Sequence, residues 1–397
     1  MKKIILLFCI TSSFLSFGQA FNELKSGTSE ALGTIRFTDN NTGYVAGSSG
    51  VIKRTTDAGA TWIKVNSGTS QDISDMLFKN KDTGYCSARG GVILKTTDAG
   101  ATWNKLNSGV YTDLSRIAFT SNAIFIAGYS GLILRSMDDG ATWKKLNSTS
   151  STYLYGISFL NDSLGFISGF GVILKTLDGG NTWKGLNCPT TTHLFSIYAK
   201  NNMNLMIVGG SIPDNEGHLV STKDGGATWN LTKFKNTFLG TIEFIDANTG
   251  YISGGDTKAN TSTIYKTMNN GNTWKIQQSN SKRQFGASFP SLNVGYTCGL
   301  NGTVLKTKDI ITGLKEVEST SRVSLEVFPN PTTDILKLKL INGNNSKATI
   351  SFLDANGKKV LSQEYADEIN ISAFAKGIYF VQVTIGSSSI TKRFIKK

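Results

Sequence analysis

Five aspartates, Asp57, Asp98, Asp138, Asp178 and Asp224, stand at one place in a recurring stretch that is spelled "TTDAGATW" at both 55–62 and 96–103. A carboxylate in a turn can suggest a cation site, but calcium takes six to eight oxygen ligands, and no such set accompanies these aspartates. Their chemistry is internal to the turn: Asp98 can accept from its own backbone amides, Gly100 supplies a positive φ, and Thr102 bonds across. A second carboxylate pair, Asp72 and Asp113, occupies equivalent positions one repeat apart, just ahead of a β-like stretch. Two carboxylates several ångströms apart are the acid and base of a glycosidase, although polar residues there are also ordinary turn chemistry. His193 and His218 are the only histidines, and no serine sits in a Gly-x-Ser-x-Gly elbow. Apart from Cys9, the cysteines are Cys86, Cys188 and Cys298, an odd number without regular spacing, so neither a disulfide framework nor a zinc site is expected. No metal and no cofactor are expected. The net charge of +13 is not collected into a basic run interleaved with aromatics, which disfavours a nucleic-acid partner.

These residues are positioned by a repeat. All six tryptophans, Trp62, Trp103, Trp143, Trp183, Trp229 and Trp274, close a version of the same stretch at spacings of 40 to 46 residues. A period in the forties signals a repeat architecture. Each unit holds four β-like pieces; in the second they are "ISDMLF" (73–78), "TGYCSA" (83–88), "GVILKT" (91–96) and "TWNKLN" (102–107). Four antiparallel strands per period make a propeller blade, with the aspartate turn as the hairpin between third and fourth strands. Each tryptophan then covers its hairpin and packs on neighbouring blade material. Ahead of the hairpin a cation recurs as Arg54, Lys95, Arg135, Lys175, Lys266 and Lys306, with Ser221 the exception. These side chains are expected to lay their stems on apolar surface with their heads at the hairpin turns.

The pattern [ST]-x-D-x-G-x-T-W is identified as the Asp-box, or BNR, repeat. With "GYVAG" and "GVILKTTDAGATW" the wider unit resembles the propeller family of the photosystem II stability and assembly factor. Asn269 replaces the aspartate in the sixth unit, and a seventh unit (285–309) has three strands and no Gly-x-Thr-Trp. "FNELKSG" at 21–27 aligns with "WNKLNSG" at 103–109, so the N-terminal strand is expected to complete the seventh blade. The expected fold is all-β: a seven-bladed β-propeller over 21–312, closed by its N-terminal strand, a linker over 313–323, and a small β-sandwich over 324–397. Asp-boxes also occur in sialidases, which grip a carboxylate with three arginines. Here Arg54 and Arg135 fall on the hairpin side, leaving Arg36, Arg89, Arg116 and Arg283; no Arg-Ile-Pro occurs, and seven blades are one more than that family has.

Both ends carry addresses. Residues 1–20 have two lysines, an apolar run from Ile4 to about Phe17 and Gly18-Gln19-Ala20, the pattern of a secretory signal cleaved after Ala20. No other apolar run reaches membrane-spanning length, so the mature chain is expected to lack a transmembrane anchor. "PNPTTD" (329–334), "DANGKKV" (354–360), "GIYFVQV" (377–383) and "TKRFIKK" resemble the type A sorting domain of the type IX secretion system. The resemblance implies the type IX machinery as partner of 324–397 and a secreted or outer-membrane-surface location in a Gram-negative bacterium.

On the propeller, the loops opposite the hairpins form the expected binding face. Insertions at 209–218 and 254–262 lie between second and third strands there, as do Arg89, Tyr129 and Phe170, while Asp72, Asp113, Tyr153, His193 and Phe238 precede first strands. Exposed aromatics beside charges suit a glycan or a polypeptide; the same residues can also plug the upper channel. The expected function is a non-catalytic binding platform for one of these two ligands, and the alternative is a secreted glycoside hydrolase using Asp72 and Asp113.

Overall fold

A computed structural model describes residues 21–291, 294–307, 324–341, 348–354, 359–385 and 388–397. The signal segment 1–20 and the linker 313–323 lie outside the described residues. The chain divides into two compact units, one on each side of residues 308–323.

The first unit contains seven four-stranded antiparallel sheets. The second blade is typical: Ile73–Phe78, Gly84–Ala88, Ile93–Thr96 and Asn104–Leu106 follow one another in space as in sequence. First strands of successive blades touch, and the first strand of the seventh blade touches that of the first, so the ring is closed. The seventh sheet borrows its outer strand: Phe21–Lys25 pairs with Thr303–Thr307, Leu24 opposite Val304, in the register that sets Leu106 opposite Ile93. Closure in this way removes two open sheet edges. Apolar clusters lie between adjacent blades; one joins Tyr44 and Ile52 of the first blade to Met76, Cys86 and Trp103 of the second. Burial pushes the Cys86 thiol up and holds Cys298 at about 12, so both act as small apolar fillers.

The hairpins are held by a repeated set of hydrogen bonds. Asp98 Oδ1 accepts the Thr102 N–H at 2.9 Å and the Thr96 hydroxyl at 2.8 Å, and Oδ2 accepts the Thr102 hydroxyl at 2.6 Å. The same bonds recur at Asp57, Asp138, Asp178 and Asp224. The threonine hydroxyl and then the backbone N–H hold Asp57, Asp98, Asp138 and Asp178 at about 2, and Asp224 lower still. In the sixth blade Asn269 Oδ1 accepts the Thr273 N–H at 3.0 Å while its amide donates to the Thr273 hydroxyl at 2.9 Å, so the network survives with one donor and acceptor exchanged. Ala99 shares the positive-φ region with Gly100, at 55° and 71°; the sequence had pointed to the glycine alone. A Cβ on Gly100 would also come within 2.5 Å of the Tyr44 ring. Trp103, 7% exposed, meets Phe78 of its own blade edge-on at 6.1 Å.

The second unit is a two-sheet sandwich. Ser324–Phe328, Ile335–Ile341 and Glu368–Asn370 form one sheet; Lys359–Glu364, Ala348–Asp354, Gly377–Ile385 and Ser388–Lys396 form the other. Leu336, Leu338, Ile350, Phe352, Val381 and Phe394 meet in its core. Two motif pieces far apart in sequence converge: Thr332 of "PNPTTD" exchanges backbone bonds with Ile395 and Lys397, and Asn330 Oδ1 accepts the Ile395 N–H.

Candidate functional site

In every blade the innermost strand carries a register shift near its start. A bulge leaves one residue out of the ladder and re-aims its side chain. The residues freed are Gly33, Ser74, Ser115, Tyr155, Phe195, Gly240 and Phe285, with Arg116 beside Ser115, and all of them line one axial funnel of about 290 Å³. Arg283, Phe238, Ile212 and Thr257 complete its wall. At the bulge positions, small residues therefore face the funnel from the first, second, third and sixth blades, and rings face it from the fourth, fifth and seventh.

The rings continue upward as one aromatic run. Tyr129 stacks on Tyr153 at 4.3 Å, Tyr155 lies 4.8 Å from Phe195, Phe170 is 4.8 Å from His193, and Phe195 is 4.9 Å from Phe238. Tyr155 joins the upper and lower parts, its hydroxyl 2.8 Å from His193 Nδ1. Burial lowers the His193 pKa, so its ring is neutral at neutral pH, and burial raises Tyr129 and Tyr155. Tyr153 and Phe170 keep 44% and 42% of their surface exposed, enough to stack on a ligand. Arg283 lies 5.1 Å over the Phe285 ring, and among the described residues its guanidinium has neither an ion pair nor a hydrogen bond. An unmatched, half-buried cation beside aromatic walls suits a ligand that brings carboxylate or carbonyl oxygens.

Of the residues predicted from sequence, Tyr129, Tyr153, Phe170, His193 and Phe238 come together in this run. Arg89 forms a 3.4 Å ion pair with Asp72, whose Oδ1 also accepts the Ser49 N–H of the preceding blade at 3.0 Å. Asp113 accepts the Gly90 N–H at 2.8 Å in the same way. Each carboxylate thus ties its blade to the turn before it. Tyr155, Phe195 and Phe285 were missed, and Arg116 and Arg283 were weighed only as sialidase-type arginines; each sits in or beside a bulge, and strict alternation along the strand misplaces that position. The insertions at 209–218 and 254–262 are not open loops. They lengthen the strands to Ser211 and from Glu216, and to Asp256 and from Thr261, because residues on both sides of each turn pair across it. His218 is buried within the first of these, with Nε2 2.9 Å from Glu216 and Nδ1 2.9 Å from Thr192.

Below the funnel a channel of about 360 Å³ holds charge of both signs. Asp75, 1% exposed, lies 3.4 Å from both Arg36 and Arg116 and accepts the Ile117 N–H at 3.0 Å. Desolvation pushes the Glu243 carboxyl up, against the pull of Arg36 and Arg116.

Fold and hairpins together define an Asp-box seven-bladed propeller carrying a C-terminal sandwich. Residues 16–107, 61–151 and 145–308 match the family model described as photosynthesis system II assembly factor YCF48, and the chain belongs to that family. Residues 326–397 match the secretion system C-terminal sorting domain. No curated protein matches the sequence. Among solved structures, YCF48 bound to a D1 peptide is similar at 16% identity, with a TM-score of 0.58 over 72% of this chain and 94% of that one. YCF48 from Cyanidioschyzon merolae is similar at 17% identity, TM-score 0.57, over 72% and 98%. The WD40 propeller domain of Doa1 follows at 10% identity, TM-score 0.59, over 76% and 99%. These likenesses carry the fold. The sorting domain marks the chain for type IX export to a secreted or cell-surface location. Among the described residues no helix is long and apolar enough to cross a membrane.

Proposed function

We propose that the propeller is a non-catalytic platform that holds an extended polypeptide segment in its axial funnel, outside the outer membrane. The observation that carries this reading is the aromatic run from Tyr129 to Phe238 ending beside the unmatched Arg283. Rings supply stacking area, and Arg283 supplies donors for backbone or carboxylate oxygens. A fold relative solved with a peptide supports a polypeptide over a glycan. The commitment of Asp72 and Asp113 to backbone N–H groups of neighbouring turns supports binding over hydrolysis. In this reading the signal 1–20 is removed at the inner membrane and the sorting domain is removed on export, leaving the propeller released or held at the cell surface.

Peptide and glycan arrays probed with the mature chain test it. Peptide retention should weaken about tenfold in Tyr153→Ala and in Arg283→Gln, the loss of one stacked ring or one charged donor. Retention of glycans alone, or product release that disappears in Asp72→Asn/Asp113→Asn, would overturn the proposal.

A further inference from the structure

A cavity larger than the funnel lies away from it, on the outer wall between the fifth and sixth blades. It measures about 670 Å³, against about 290 Å³ for the counterpart cleft between the first and second blades. At two junctions of this kind a tyrosine and a lysine both reach the backbone carbonyl of the next blade's hairpin. Between second and third blades, Tyr85 donates its hydroxyl to the Asp139 carbonyl at 3.0 Å, and Lys95 Nζ donates to that carbonyl and to Asp139 Oδ2, both at 2.8 Å. Between seventh and first blades, Tyr296 and Lys306 reach the Ala58 carbonyl at 2.9 and 3.3 Å. Arg135 reaches the Gly179 carbonyl at 2.9 Å, and Lys175 lies over Phe166 beside Gly225.

At the fifth blade both side chains are replaced at once. Met206 stands where Tyr85 stands and Ser221 where Lys95 stands, too short to cross. Lys200, the counterpart of the Lys79 that also binds Asp139, is spent on the Ala247 carbonyl at 3.0 Å. The receiving hairpin is nevertheless built for a cation. Asn270 occupies the position of Asp139, with the same left-handed backbone at φ 57°, and so offers a carbonyl and a side-chain oxygen to one donor. Its Oδ1 is buried without a hydrogen-bond partner, and among the described residues no side chain reaches its carbonyl. A buried acceptor left unmatched is costly. Trp229, Trp274 and Met206 supply apolar wall for an alkyl stem.

We propose that this cleft is a second binding site, which takes the side chain of a lysine from a partner polypeptide, its ammonium between the Asn270 carbonyl and Oδ1 as Lys95 sits on Asp139. The site goes beyond the funnel and does not depend on it. Lys223 at the mouth opposes the incoming charge; Met137 and Met268 hold that position in the third and sixth blades.

The test uses the mature full chain and the capped tripeptide acetyl-Gly-Lys-Gly-amide, followed by the indole N–H signals of the six tryptophans. Saturable shifts are expected at Trp229 and Trp274 and not at Trp103 or Trp143. The tripeptide acetylated on its lysine amine should bind at least tenfold more weakly. Ser221→Lys restores the missing cation and should abolish the shifts. Asn270→Gly, the residue at this position in the fourth and fifth blades, keeps the backbone and should weaken binding about tenfold through loss of Oδ1. Lys223→Met should tighten it. Equal binding of the acetylated tripeptide, shifts at all six tryptophans, or full binding by Ser221→Lys would overturn the site. Binding of pentylammonium without the tripeptide would overturn its assignment to a polypeptide.

Discussion

Replacing Phe21 with alanine should unlatch the ring. Phe21 is 1% exposed and packs with Tyr251, Ile264 and Leu305, so it joins the borrowed strand to both the sixth and the seventh blades. Emptying a buried phenylalanine site costs about 3–5 kcal/mol. Leu24, partly buried against Tyr296 and Trp62, adds about 1 kcal/mol when truncated. The double variant thus loses a large share of the ~5–15 kcal/mol that keeps a domain folded. Glu23, exposed on the same strand, is the control, and its alanine variant should stay within about 0.5 kcal/mol of the parent. Urea unfolding followed by tryptophan fluorescence gives the stabilities. Hydrogen exchange should locate the opening, with protection falling first along Thr303–Thr307 and Leu32–Phe37 and later in the third and fourth blades. Deleting 21–25 should reproduce the effect, and a free peptide of sequence FNELKSG should reverse it. A Phe21→Ala chain as stable as Glu23→Ala, or exchange rising evenly round the ring, would refute closure by this strand.

The Asp-box networks give two further expectations. Because Asn269 maintains its hairpin, Asp98→Asn should melt close to the parent, whereas Asp98→Ala, which leaves the Thr102 N–H and two hydroxyls unmatched, should melt clearly lower; equal losses in both would argue for a role of the charge itself. The acid limb of stability should follow these groups. Asp57, Asp98, Asp138 and Asp178 are held at about 2 in the fold against 3.8 unfolded, so the unfolded chain binds more protons between those values. Their contribution is present above about pH 4 and is lost as pH falls toward 2. Urea midpoints measured from pH 5 to 2 should fall most steeply there, and a flat profile would count against the proposal that the carboxylates hold the hairpins.

The sequence by itself determined the blade. The forty-residue period, the Thr-x-Asp-x-Gly-x-Thr-Trp hairpin and the alternating strands are local features, fixed by turn chemistry and by the need of each strand to bury one face, so they appear without any knowledge of neighbours. The match of "FNELKSG" to "WNKLNSG" was enough to expect an N-terminal strand in the seventh blade, and the aromatic residues on the expected face were legible as Tyr129, Tyr153, Phe170, His193 and Phe238. What surrounds the axis was decided by tertiary structure. A bulge recurs in each innermost strand where seven strands converge, and it turns Tyr155, Phe195 and Phe285 inward against the count of two that a strand pattern obeys. The insertions at 209–218 and 254–262 look like loops in one dimension, yet they become longer hairpins because their two sides can pair. The cleft at Asn270 is a property of neither blade alone. Ser221 was visible as an exception in a column of cations, but the carbonyl left unmatched by that exception belongs to the next repeat, and only ring packing places the two side by side.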